Sequence, residues 1–256
     1  MEISWMSLNL WHGRLYDQLK EFFKSYFPDI LFVQELCQAC SPADQIEHHH
    51  FADYLMKIGY VSMVYDPLKA IPDSGFRPDW GLAIFSKKWQ ISPSKLTFFQ
   101  GAYDPDWDFP EDKDYRTSPT GVQSATILID SVPINLFNVH GTWGFDGEES
   151  PQRQKLSSCL LSVTSGLNHV LIGGDFNMDY GIPSFKSIEA VYPCVFSSIP
   201  ETTFNLQRKG DPGLGRRWMP VDMMFTSNDF QINQVEVLYQ ADVSDHLPLQ
   251  AKISLK

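Results

Sequence analysis

The run Val170-Leu-Ile-Gly-Gly-Asp-Phe-Asn177 limits the fold more than any other stretch of the chain. A short apolar segment reads as a buried strand, and this one is stopped by two glycines, a carboxylate and an amide. The same design recurs. Ile30-Leu-Phe-Val-Gln-Glu35 finishes on a carboxylate, Ile134-Asn-Leu-Phe-Asn-Val-His140 on an imidazole, and Ser4-Trp-Met-Ser-Leu-Asn9 on an amide. Strands that end this way bring their polar tips to one rim, because a rigid sheet fixes the side chains and loops surround them.

Between these strands the pattern switches to helical spacing. Glu2 to Leu10 alternates as a strand, and Arg14 to Tyr26 and Ala43 to Ile58 carry apolar residues at helical intervals. Strands are expected at Ile30 to Val33, Tyr60 to Tyr65 and Gly81 to Ser86, with a loop from Asp66 to Asp79. Tyr103 to Thr120, crowded with Asp, Pro and aromatics, reads as an irregular excursion walling the site. Two strands (Val122 to Ile129, Ile134 to Val139), a helix from Pro151 to Ser165 and a strand at Val170 to Ile172 follow. Strands near Val221 to Thr226, Ile232 to Tyr239 and Leu247 to Ile253 close the chain. No linker or repeat divides the sequence, so one layered α/β domain spanning residues 1–256 is expected.

Charge narrows the partners. Twenty Lys+Arg against 31 Asp+Glu give a formal charge of −11, which opposes loose attachment to DNA or an anionic membrane and suits a cation site. A local basic rim and a bound metal offset such a field over a small area, so nucleic acid stays among the expected substrates. Cys37, Cys40, Cys159 and Cys194 are too few for a disulfide framework and read as unlinked thiols. His48-His49-His50 reads as a solvated helix face, because adjacent helical residues point apart. No apolar run approaches the roughly 20 residues of a bilayer span, and the amino terminus lacks a signal-peptide pattern. A soluble cytoplasmic monomer without stable membrane insertion is expected.

The all-oxygen set of Glu35, Asp245 and Asn9 suits Mg²⁺, with Mn²⁺ as the alternative, since both prefer hard ligands. In order along the chain stand Ser7-Leu-Asn9, Val33-Gln-Glu35, Asn138-Val-His140, Gly174-Asp-Phe-Asn177, Val221-Asp222 and Ser244-Asp-His246. With these six segments the sequence resembles the endonuclease/exonuclease/phosphatase superfamily, which includes deoxyribonuclease-like enzymes, AP endonucleases, inositol polyphosphate phosphatases, neutral sphingomyelinases and deadenylases. The resemblance implies a four-layered αββα sandwich of two mixed β-sheets flanked by helices. It also implies roles. Glu35 is the principal Mg²⁺ ligand, helped by Asn9 and Asp245. Asp175 orients or deprotonates the attacking water, Asn177 holds the phosphate, and His246, oriented by Asp222, binds a phosphate oxygen. His140 stabilises charge or assists the leaving group.

The expected function is therefore Mg²⁺-dependent hydrolysis of a phosphoester by water, first as a nuclease or phosphodiesterase. The alternative is a phosphatase or phospholipase acting on a small or lipid phosphate, and third comes a silent binding module on the same scaffold. AP endonucleases generally carry Tyr where His140 stands, and Arg216-Arg-Trp-Met-Pro-Val-Asp222 lacks the inositol 5-phosphatase signature, so both classes are disfavoured. Arg77, Arg116, Arg216 and Arg217 are candidates for contact with phosphate. Trp80, Trp107, Trp143 and Trp218 are expected chiefly as packing, with base stacking or the lining of a lipid groove as the alternatives.

Overall fold

Ile3 and Trp5 on one side of the first strand, and Met6 and Leu8 on the other, are all buried, so this strand carries apolar cover on both faces. That requirement builds the layers. The computed structural model describes residues 1–111, 115–144, 147–210 and 218–256. Its elements are β1 (Glu2–Asn9), α1 (Tyr16–Ser25), β2 (Ile30–Gln38), α2 (Phe51–Ile58), β3 (Ser62–Ala70), β4 (Asp79–Ser86) and β5 (Lys95–Gln100). Then come β6 (Thr120–Ile129), β7 (Val132–His140), α3 (Pro151–Thr164), β8 (Val170–Asp175), α4 (Pro183–Glu189), α5 (Leu206–Lys209), β9 (Asp222–Thr226), β10 (Phe230–Val237) and β11 (Leu249–Leu255). One sheet has the order β10-β11-β1-β2-β4-β3 and the other β5-β6-β7-β8-β9. Each is mixed, with β1 parallel to β2 and β7 parallel to β8.

Three apolar clusters account for the layering. Ile3, Trp5, Phe32 and Ile84 of the first sheet meet Ile127, Leu136, Leu171 and Met224 of the second. On the outer face of the first sheet, Met6, Leu8, Leu31 and Val33 pack on Leu19 and Phe23 of α1 and Leu55 of α2. On the outer face of the second, Phe137, Val139 and Ile172 pack on Leu156 and Leu160 of α3 and Phe185 of α4. Each such fully buried side chain stabilises by about 1.5–3 kcal/mol before entropy is counted. The expected αββα sandwich is what forms.

A polar bridge crosses that apolar interface. Asn138 donates to Val33 O at 2.9 Å, Ala83 O at 3.0 Å and Gln123 Oε1 at 3.2 Å, and accepts from Gln34 Nε2 at 2.7 Å. Gln123 in turn donates to Asp66 Oδ2 at 2.8 Å. These bonds tie the two sheets at the end where the strand tips converge.

Several boundaries differ from the sequence reading. The helix expected from Ala43 begins only at Phe51, after a 3₁₀ turn at Glu47–His50. Asp44 is the reason, because its carboxylate takes the Ile46 N–H and the His49 ring and so competes with helical bonding. The loop expected at Asp66 to Asp79 is partly strand, since β3 runs to Ala70 and pairs with β4 from Asp79 through a bulge at Pro67/Lys69. β5, half-buried, was not anticipated. β8 extends past Ile172 to Asp175 because both glycines stay in the ladder. The histidine run is not a solvated face, for His49 is buried against Asp44 and Asp73. The four cysteines are free thiols, and no described helix is long and apolar enough to cross a membrane.

Candidate active site

Period-two geometry aims the tips of four strands into the gap between the sheets. In β1, Asn9 lies in register with the inward-facing Ile3 and Trp5. In the second sheet His140 pairs with Asp175, and Asp175 with Asp222, so β7, β8 and β9 present three polar groups in one row across neighbouring strands. Alternation would send Glu35 the other way, toward the helix-covered face that holds Leu31 and Val33. A bulge between Val33 and Leu36, with Glu35 at φ 57°, turns it back into the gap.

Strain gathers at this rim. Among the described residues eight non-glycine positions have positive φ, and Trp11, His12, Glu35 and Asn177 are four of them. Such conformations cost of order 1–3 kcal/mol each and persist where the surroundings over-determine them. Glycine is required at two neighbouring points. Gly174, at φ 151°, has Val139 O only 2.1 Å from where a Cβ would stand. Gly141 has Phe176 O at 2.0 Å.

Asn9 is the hinge of the carboxylate cluster. Its side-chain N–H₂ donates to Glu35 Oε1 at 3.0 Å and to Asp175 Oδ2 at 3.0 Å, while its oxygen accepts from Trp11 N at 2.9 Å. In this arrangement Asn9 spaces two carboxylates as a donor, and its oxygen faces away from them. Glu35 Oε2 also lies 3.2 Å from His12 Nε2. Burial pushes the Glu35 carboxyl up, but His12, His140 and Asn9 together outweigh it and hold the acid well below the usual carboxylate range.

The two histidines are tuned in opposite directions. His140 Nε2 stands 3.7 Å from Glu35 Oε1 and 3.8 Å from Asp175 Oδ2, and burial, aided by Lys69, His246 and His12, lowers it to about 4. Burial also works against charge on His246, yet Asp222 and Asp175 prevail and raise it to about 10. Asp222 Oδ2 contacts His246 Nδ1 at 2.9 Å and accepts from Thr203 Oγ1 at 2.6 Å. His246 Nε2 then points at Asp175 Oδ2, 3.8 Å away. Asp175 is pushed above the carboxylate range by burial and by Asp222 and Glu35, against the pull of His246.

Asn177 donates to Gly141 O at 3.2 Å, and its own N–H bonds Asp175 Oδ1 at 2.9 Å. Asp245 also faces the cleft, but its Oδ2 is paired with Lys209 Nζ at 2.6 Å. Glu35, His140 and Asp175 offer ligand atoms within 4.8 Å of one another. Hard carboxylate oxygens converge in a buried pocket where like charge raises Asp175. This donor set fits a divalent cation, which would relieve that repulsion.

A sequence model of the Endonuclease/Exonuclease/phosphatase family matches residues 6–246. The chain belongs to the endonuclease/exonuclease/phosphatase family. It is therefore a hydrolase of phosphoester bonds, in a family that generally depends on a divalent metal. Solved structures agree on the fold. An endonuclease/exonuclease/phosphatase from Bacteroides vulgatus superposes with a TM-score of 0.70 at 15% identity over 100% of both chains. The human Nocturnin catalytic domain with bound sulfate gives 0.71 at 16% identity over 100% of this chain and 95% of that one. ANGEL2, a 2′,3′-cyclic phosphatase in complex with adenosine-2′,3′-vanadate, gives 0.68 at 17% over 100% and 96%. At such identities these likenesses show the fold alone. No curated protein sequence matches the chain.

The family motifs leave out part of this cleft of about 230 Å³. Lys69, 3% exposed, projects into it between the rings of Trp80 and Trp107, 4.2 and 3.8 Å from their centroids, and bonds Ser118 Oγ. Burial lowers its ammonium to about 7, with Glu35 opposing. Trp80, Trp107 and Trp143 line the cleft, whereas Trp218 packs on Phe204. Arg77 does not face it, bonding instead to Asp108, Pro105 O and Trp107 O to pin the loop. Arg116 is exposed and is not among the lining residues. Arg216 and Arg217 lie outside the described residues. Sequence pattern does not mark His12 or Thr203, since only the turn after β1 and the chain crossing beside β9 bring them to Glu35 and Asp222. A histidine three places beyond Asn9 was the one local signal.

Proposed function

We propose that the enzyme is a Mg²⁺-dependent phosphodiesterase acting on a small, nucleotide-like ester. The observation that carries this reading is the aromatic wall, Trp11, Trp80, Trp107, Phe109, Tyr115 and Trp143, facing the Glu35, Asp175, His140 and His246 cluster across one cleft. Aromatic faces stack bases without regard to sequence. At about 230 Å³ the cleft lies below the 300–1,000 Å³ usual for small-ligand pockets, which favours a compact ester over a duplex.

Glu35 would hold the cation, with Asp175 beside it and Asp245 as a further oxygen. When bound, Mg²⁺ supplies Lewis-acid neutralisation of a phosphoryl oxygen. The protein does the rest. Asp175, raised toward neutrality, takes the proton of the attacking water. His246, held cationic by Asp222, donates through Nε2 to a phosphate oxygen and stabilises the charge that develops there. The second N–H of Asn177 donates alongside. Neutral His140 serves the leaving-group side. Lys69 offers a cation deep in the cleft, which supports a second reading, a phosphomonoesterase whose dianionic substrate it would neutralise.

A substrate panel run with Mg²⁺ and with chelator tests both. Turnover of bis-p-nitrophenyl phosphate and of dinucleotides or cyclic nucleotides, lost on chelation, is the expected result. Cleavage confined to monoesters would favour the second reading, and cleavage confined to plasmid DNA would overturn the small-ester assignment. Size-exclusion chromatography with light scattering tests the proposed monomer.

A further inference from the structure

Away from the catalytic cluster, His48, His49 and Asp73 bring ligand atoms within 4.8 Å of one another. His48 Nε2 lies 2.8 Å and His49 Nε2 3.1 Å from the same atom, Asp73 Oδ2. The 3₁₀ turn makes this convergence, and the two rings meet edge to face at 4.4 Å. Gly13, whose missing Cβ would stand 3.1 Å from His48 Cβ, lets the turn seat closely.

The far side of His49 is already fixed. Its ring is fully buried, and Nδ1 lies 2.7 Å from Oδ2 of the buried Asp44, whose other oxygen accepts from Ile46 N. A neutral His49 that donates from Nδ1 to Asp44 presents its Nε2 lone pair to the Asp73 carboxylate, which repels it. An imidazolium removes the clash but sets one positive charge against two carboxylates, so the cluster keeps a net negative charge. A divalent cation shared by the two Nε2 atoms and Asp73 gives both lone pairs an acceptor and offsets the charge of both carboxylates. The Asp44–His49 bond is then the outer-shell support that metal-binding histidines have.

We infer that His48, His49 and Asp73 form a zinc site, oriented by Asp44, that staples the 3₁₀ turn to the β3–β4 connection. Two imidazoles and one carboxylate match zinc, whereas Mg²⁺ prefers oxygen alone. Tetrahedral zinc at bonds of about 2.0–2.1 Å spaces its ligands about 3.3 Å apart. Asp73 must therefore move outward by a few tenths of an ångström. It sits on a tight Asp73–Phe76 turn with its side chain 28% exposed, and His48 is 23% exposed, which leaves a coordination position open to water.

Cobalt(II) titration of the metal-stripped full chain is the test. The expected result is one equivalent of intense visible bands from tetrahedral, nitrogen-ligated cobalt, displaced by Zn²⁺. Glu35→Gln should keep the bands, His48→Gln and Asp73→Asn should lose them, and Asp44→Asn should weaken Zn²⁺ binding about 10–100-fold. Zn²⁺ should raise the Tm of the wild type and of Glu35→Gln but not of His48→Gln. Weak octahedral bands alone in the wild type, or unchanged affinity in the two ligand variants, would mean that the cluster is an ion-pair network and would overturn the site. If the ligand variants fail to fold, equilibrium dialysis against Zn²⁺ of a variant carrying Glu35→Gln together with Asp175→Asn, which disables both active-site clusters, decides. One ion retained supports the site, and none refutes it.

Discussion

His246 Nδ1 lies 2.9 Å from Asp222 Oδ2, and the same carboxylate oxygen takes the Thr203 hydroxyl at 2.6 Å. The Thr203 hydroxyl oxygen is itself held by the N–H groups of Val221 and Asp222, at 3.0 and 3.1 Å. A backbone-anchored hydroxyl thus fixes the acid that fixes the histidine. This chain of contacts points Nε2 into the cleft as a donor and keeps the imidazolium charged.

Replacing His246 with Ala removes that donor. By comparison with oxyanion-hole donors, kcat should fall about 10²–10³-fold, or about 3 kcal/mol of transition-state stabilisation, with little change in Tm. Asp222→Asn should lower kcat as well, because the imidazole loses the charge that holds it cationic. Steady-state kinetics of both variants decide the matter. An unchanged rate in His246→Ala would put the phosphate site elsewhere.

Glu35→Ala should abolish metal-dependent turnover while leaving the fold intact, since its strained left-handed backbone is held by the bulge rather than by the carboxylate. Calorimetric titration with Mg²⁺ alongside activity would show lost binding and lost rate together. Wild-type turnover in the variant would remove Glu35 from the site.

Lys69 makes a statement about pH. Its ammonium is lowered to about 7 by burial, below its ordinary value of 10.5. The unfolded chain therefore binds the extra proton between pH 7 and 10.5, and this residue's contribution to stability rises with pH across that window. Below pH 7 the buried charge is a cost. Lys69→Met should stabilise the chelator-treated protein by about 1 kcal/mol or more at pH 6, less at pH 9. Urea melts at the two values measure the difference, and a gain that did not shrink with pH would contradict the assignment.

Asn138→Ala tests the bridge between the sheets. It leaves Gln34 Nε2 with only a 3.3 Å contact to Ser7 Oγ, takes the donor from Gln123 Oε1 and removes the side-chain bonds to the carbonyls of Val33 and Ala83, so a loss of about 2–4 kcal/mol is expected from buried groups left under-paired. Chemical denaturation reads it directly. A loss under about 1 kcal/mol would mean that the sheets hold by apolar packing alone.

Much of this was legible in the order of residues, for a local reason. Apolar runs that stop on polar residues at a period of two dictate strands that end on His140 and Asp175, Asp222 opens the antiparallel strand beside them, and the six motifs carried the family. What local pattern cannot carry is decided by contacts between distant segments. Glu35 belongs to the site only because a bulge against β4 reverses its face, and Asn9 spaces the carboxylates because Trp11 claims its oxygen. Lys69 stands in the expected Asp66 to Asp79 loop with no local mark of a role, and only the folded chain closes Trp80 and Trp107 around it. His48 and His49 read as a solvated face until Asp44 breaks the helix and Asp73 arrives from the β3–β4 turn. The sequence by itself determined which groups stand at the strand ends, because alternation is a property of neighbours. The tertiary structure alone decided which of them touch, because bulges, buried charge and loop closure depend on residues far apart in the chain.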